Sequence, residues 1–220
     1  MSALRRKISV SLIAGLLILS GASANAMLLD YAAYLGDTKV GEARVSIDVA
    51  DSGYSIKGKA ESTGLLGFFS KWRSLFSTRG FFSFGKPVAA SYQVTEESGG
   101  KNKQIVYTGE EVHVTKNGKR RNPIPLPAET DFWSLLFLSK DCGEERTVHD
   151  GKDLWQVKPQ HVETLPAGGQ YCEFELIDED SEHSFAAVWL EQIGDLTVPV
   201  QIKLEGAISG TFRLTDHAFD

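Results

Sequence analysis

The chain has 220 residues, 42% hydrophobic and 24% charged, with 23 Lys+Arg against 29 Asp+Glu and two Cys. That composition fits one globular domain with a sizeable core and shows neither internal repeats nor low-complexity linkers. A formal charge of −6 gives the chain no electrostatic reason to seek nucleic acid or an anionic lipid surface, so neither is an expected partner.

The amino terminus has the layout of a secretory signal. Arg5, Arg6 and Lys7 precede an apolar run from Ile8 to Leu19, and Ala24-Asn25-Ala26 supplies the small residues a signal peptidase fits. A run of about a dozen apolar residues is too short to span a bilayer, which takes ~20. Residues 1–26 are therefore expected to be a signal peptide cut after Ala26, and 27–220 a single soluble domain in the periplasm. Leu19-Ser20-Gly21-Ala22 resembles a lipoprotein processing site, but Ala22 stands where only Cys could carry the lipid. Loss of the three basic residues with the leader takes the formal charge from −6 to −9.

The mature chain then reads as strand after strand. Leu29 to Leu35, a turn at Gly36-Asp37, and the alternation of Ala43, Val45, Ile47 and Val49 predict a hairpin. A third strand is expected from Tyr54 to Ser62. After Gly64, Leu65, Phe68, Phe69 and Trp72 follow helical spacing, with Leu66, Leu75 and Phe76 adding apolar bulk. That predicts a short amphipathic helix leading into a strand. Phe68, Phe69, Trp72, Phe76, Phe81, Phe82 and Phe84 crowd one stretch, which suits either a core plug or the lid of a groove for an acyl chain. Leu65, Phe68, Phe69 and Trp72 are the candidate ligand-binding residues.

Strands follow at Ser74 to Phe82, Val88 to Glu96, Lys103 to Tyr107 and Glu111 to Thr115, punctuated by Gly99-Gly100 and Asn117-Gly118. Lys116, Lys119, Arg120 and Arg121 surround the second turn and read as a solvated loop. Thr130 to Ser139 predicts a second short helix, capped by Thr130 after Pro127, with Leu135, Leu136 and Leu138 facing the sheet. Further strands are expected at Leu154 to Lys158, Gln170 to Ile177, Ala186 to Leu190, Val198 to Leu204 and Ala207 to Thr215. The fold class is mainly β, with the sheet wrapped around one or two short helices.

Cys142 and Cys172 are the two cysteines, and an even count in an exported chain favours a disulfide, with two free thiols as the alternative. A loop of that length is worth on the order of 3 kcal/mol in the chain-entropy picture. No C-x-x-C supports redox chemistry. The five histidines are scattered without a metal-ligand pair, and the acidic run Asp178 to Glu182 lacks the alternating pattern of a calcium loop, so no metal or cofactor is expected. Asp131 and Ser134 could suggest a hydrolase, but the mature chain has no G-x-S-x-G turn. Ser134 is better read as a polar residue at a helix start and Asp131 as a partner of the helix dipole. A non-enzyme is expected.

The spaced motifs Tyr31-x-x-Tyr34-x-Gly36 with Val40-Gly41, Ser62-Thr63-Gly64, Asp131-Phe132-Trp133-Ser134, Cys142 before Asp150-Gly151-Lys152, Tyr171-Cys172, Val188-Trp189-Leu190 and Val198-Pro199-Val200 carry a resemblance over nearly the whole mature chain. They resemble the bacterial exported family catalogued as domain of unknown function 3108. The resemblance implies a cell-envelope protein of Gram-negative bacteria with a curled antiparallel sheet, an open barrel or β-spiral. It also implies a more distant similarity to periplasmic lipoprotein carriers. It supplies no catalytic residues. Two functions remain open at this level: a non-catalytic binding module for a hydrophobic ligand, a lipid or a lipidated partner, or a structural protein that supports envelope integrity through contacts with an envelope protein.

Overall fold

A computed structural model describes residues 26–64, 67, 71–107, 111–125, 130–140, 142–150, 153–166, 168–206 and 209–219. Residues 1–25, within the expected signal peptide, and the candidate residues Leu65, Phe68 and Phe69 lie outside the described residues.

The first half of the chain is a meander: β1 (Met27–Leu35), β2 (Thr38–Ala50), β3 (Gly53–Ser62), β4 (Trp72–Ser83), β5 (Lys86–Ser98), β6 (Lys101–Tyr107), β7 (Glu111–Lys116) and the short β8 (Lys119–Arg120) and β9 (Ile124–Pro125). The helix α1 (Phe132–Leu138) then carries the chain across to the opposite edge. From there β10 (Arg146–His149), β11 (Leu154–Thr164), β12 (Gln170–Asp178), β13 (His183–Ile193), β14 (Leu196–Glu205) and β15 (Gly210–Phe219) return to the middle. The last strand pairs with the first, Leu29 opposite His217 and Ala33 opposite Phe212. All strands belong to one sheet in the order β10-β11-β12-β13-β14-β15-β1-β2-β3-β4-β5-β6-β7-β8, with β9 set on β7. Its strand pairs are antiparallel, and among the described residues β8 and β10 do not pair, so the sheet is curled but not closed into a barrel.

Two physical features produce the curl. Alternating apolar residues put one face inward: Leu29 and Tyr31, Val45 and Ile47, Tyr54 and Ile56, Ile105 and Tyr107, and Val112 and Val114 are all buried in one core. Bulges then bend the strands, as at Asp30/Tyr31 in β1, Arg79/Gly80 in β4, Pro159/His161 in β11 and Trp189/Leu190 in β13. Close approach fixes one glycine. Gly58 of β3 faces Phe76 of β4, and a Cβ on Gly58 would lie 2.1 Å from the Phe76 ring.

The structure bears out the mainly β, curled antiparallel class and refines several boundaries. Trp72, read as the end of a helix, is the first residue of β4, because Trp72 pairs with Ser98 across the β4–β5 ladder. Gly64 and Gly67 are helical. The cap of α1 is Asp131 rather than Thr130: the Asp131 backbone is extended and its carboxylate accepts from the N–H groups of Trp133 and Ser134. Strands β8, β9 and β10 escaped the sequence reading because two to four residues carry no period.

Candidate functional site

The helix α1 has only seven residues, and its two sides meet the sheet in different ways. One side is locked. The Trp133 ring stacks on Phe76 with centroids 3.9 Å apart, and Phe137 meets Tyr31 edge-on at 6.3 Å. Beneath them Asp131 is fully buried and fully satisfied. Its Oδ1 accepts the N–H groups of Trp133 at 2.9 Å and Ser134 at 3.0 Å, and its Oδ2 accepts the hydroxyl of Thr78 at 2.7 Å and that of Ser134. Ser134 Oγ lies 2.9 Å from the Tyr54 hydroxyl, which burial pushes up to about 12. Four donors on one carboxylate are what a sealed charge requires.

The same network joins the two ends of the sheet. Asp131 forms a parallel bridge with His149 at the end of β10, and the His149 N–H donates to the Thr130 carbonyl at 3.3 Å. The Tyr92 hydroxyl of β5 donates to the Asp150 carbonyl at 2.8 Å. The His149 ring is fully buried against Tyr92 and Tyr107, and among the described residues neither ring nitrogen has a hydrogen-bond partner. Burial holds His149 below the usual imidazole range, against the opposing pull of the Asp131 and Asp150 carboxylates. Ser134 is as sealed as Asp131. Its hydroxyl is held by Asp131 and Tyr54, so the group forms a latch that ties α1 to β3, β4 and β10.

The other side of α1 leaves space. Phe132, Leu135 and Leu136 face β11 to β14 across a cavity of about 60 Å³ whose far wall is Val157, Phe174, Leu176, Ala186, Val188, Leu190, Ile202 and Leu204. That is room for roughly four or five water-sized groups, since one water position takes about 10–15 Å³. Cys142, disulfide-bonded to Cys172 with Cα atoms 6.0 Å apart, lines the cavity and ties the segment after α1 to β12.

The polar lining is concentrated in Ser139, Glu144 and Arg146. The Arg146 side chain is 14% exposed, donates to Ser139 Oγ at 3.3 Å and lies 3.5 Å from Glu144. Lys86, at 2.6 Å, holds the Glu144 carboxyl below the usual carboxylate range, with Arg146 adding to the effect. Arg146 also borders an open cleft shared with Phe81, Phe84, Lys86 and Leu154, so a guanidinium stands between the apolar cavity and the surface.

The aromatic run singled out in the sequence is dispersed. Phe76 is core, whereas Trp72, Phe81 and Phe82 are about 40% exposed and Phe84 is wholly exposed. Trp72 is not part of the cavity lining. The cavity residues were legible only as inward positions of alternating strands, Phe174 and Leu176, or Ala186, Val188 and Leu190. Nothing in the pattern announces that α1 is too narrow to fill the space before them. No group of three His, Cys, Asp or Glu residues poised for a metal occurs among the described residues, and none of their helices is long and apolar enough to cross a membrane.

The family described as "Protein of unknown function (DUF3108)" matches residues 30–215. None of the curated proteins matches the chain. A solved structure from Brucella abortus, described as a beta-barrel-like protein of domain of unknown function DUF1849, superposes with a TM-score of 0.57 over 90% of this chain and 98% of that one at 8% identity. That likeness is one of fold.

Proposed function

The chain belongs to the DUF3108 family, and we propose that it is a non-catalytic binding module of the cell envelope that shelters an apolar group between α1 and strands β11 to β14. The observation that carries this reading is the cavity itself: apolar walls, the disulfide-bonded Cys142 among them, and a cation beside Ser139. The charge and the narrow bore fit a single-chain amphiphile, such as a fatty acid or one acyl chain of a lipidated partner, with its anionic end toward Arg146. The observed space holds only part of such a chain, so Phe132, Leu135 and Leu136 have to shift on binding.

Export is part of the same proposal. The leader with its cut after Ala26, the β1 strand that begins at Met27, and the Cys142–Cys172 bridge support a periplasmic site of action. Native mass spectrometry of protein purified without detergent tests the binding reading, together with titration of a fluorescent fatty-acyl probe. A co-purifying acyl ligand and saturable probe binding are expected. Protein that carries no ligand and leaves the probe unbound overturns it.

A further inference from the structure

Two hairpins of the sheet make the same turn with different residues. Between β7 and β8, Asn117 and Gly118 have φ of +50° and +75°; between β4 and β5, Phe84 and Gly85 have +51° and +78°. Two successive positive φ values mark the tight turn whose first position takes Asn, because a larger side chain crowds the backbone there. Asn117 also uses its side chain, accepting the Asn102 N–H at 3.0 Å. Phe84 gains no such contact, and its ring is 103% exposed.

Among the described residues nothing accounts for an aromatic ring at this strained tip. Phe81 precedes it at 47% exposure, and Phe82, whose ring packs on Tyr54 with centroids 5.5 Å apart, keeps 36%. Successive strand residues point to opposite faces, so the hairpin end is apolar on both faces and at its point. A groove on a protein covers one face of a hairpin, whereas an apolar medium surrounds all of it.

We propose that the β4–β5 tip, Phe81, Phe82 and Phe84, is a wedge that inserts into the interfacial layer of a lipid bilayer. Aromatic rings partition to that layer. The chain's formal charge of −6 gives no attraction to anionic headgroups, and Lys86 beside the turn is already paired with Glu144 at 2.6 Å. Attachment is therefore apolar, indifferent to salt and complete on zwitterionic lipid. This does not depend on what the α1 cavity holds.

Flotation of the mature chain with vesicles of phosphatidylcholine and phosphatidylethanolamine, at low and high salt, is the test. The wild type is expected to float equally at both salts. Phe84→Asn suits the turn, so it is expected to unfold no earlier than wild type on heating, and to bind vesicles about tenfold more weakly or worse, as loss of one buried aromatic side chain implies. Phe84→Trp is expected to keep binding. Three results would overturn the wedge: wild-type protein that stays in the soluble fraction, Phe84→Asn that floats like wild type, or binding that needs anionic lipid and is released by salt. Light scattering that shows a dimer dissociated by Phe84→Asn, without flotation, would overturn it in favour of self-association.

Discussion

The two sides of α1 differ in what they leave unfilled. Toward β3, β4 and β5 the helix is stacked ring on ring and fixed by a carboxylate with four donors. Toward β11 to β14 it faces a largely apolar space that its leucines do not fill. Stability is thus concentrated on one side and freedom on the other, as expected where a scaffold holds a binding region. The same element teaches both: a short helix can be anchored by one side only.

The largest effect is expected at the anchor. Asp131→Ala strands two backbone N–H groups in a sealed site and leaves the Thr78 and Ser134 hydroxyls to the Ser91 carbonyl and the Tyr54 hydroxyl, at a cost of about 3–5 kcal/mol, which urea unfolding would read. Asp131→Asn keeps the acceptor oxygen on the two N–H groups and is expected to cost less. A loss below about 1 kcal/mol for the alanine variant would show that the latch does not hold the helix.

Next comes the packed interface itself. In Gly58→Ala the new Cβ would stand 2.1 Å from a Phe76 ring already pinned by Trp133 at 3.9 Å. The ring has no free side to move into, so a loss of about 1–3 kcal/mol is expected in the same unfolding experiment. In the sequence Gly58 reads as a further position of the alternation that Tyr54 and Ile56 begin, with nothing to mark its contact. Its partner Phe76 lies on the next strand, beyond the reach of any local pattern.

That contrast recurs across the molecule. The long strands β2 and β5 announced most of their length, β2 through the alternation of Ala43, Val45, Ile47 and Val49, whereas in β5 a bulge shifts the buried positions from Pro87 and Ala89 to Tyr92 and Val94. The disulfide followed from counting two cysteines. Arg146, His149 and Asp131 acquire their roles only when the crossing at α1 brings opposite sheet edges together, and no spacing in a linear chain encodes that meeting. Of the aromatic run around Phe81, Phe76 is buried in the core and Phe84 stands exposed at a turn of positive φ, a division that no local spacing encodes.

His149 gives the latch a pH signature. Burial lowers its folded pKa below that of the unfolded chain, so the unfolded state binds the extra proton first. The stability tied to a neutral His149 is fully present above the unfolded value of about 6.5 and is lost as pH falls toward the depressed folded value, with a slope of up to about 1.4 kcal/mol per pH unit. His149→Phe is expected to remove that slope while packing against Tyr92 and Tyr107. Parallel pH profiles for the two proteins would sink the assignment.

The smallest expected effect has the opposite sign and bears most directly on function. Ala186 faces the cavity from β13, so Ala186→Leu adds apolar volume to space that is already paid for in lost contacts. Filling it is expected to stabilise the fold by about 1 kcal/mol and to weaken a fluorescent fatty-acyl probe by about tenfold, because the tail competes for the same volume. One added methyl at Gly58 costs stability and a whole isobutyl group at Ala186 adds to it, if the two sides of α1 differ as described. A destabilised Ala186→Leu would mean that the cavity side is as tightly packed as the anchor, and a stabilised variant that still binds the probe fully would move the ligand elsewhere on the sheet.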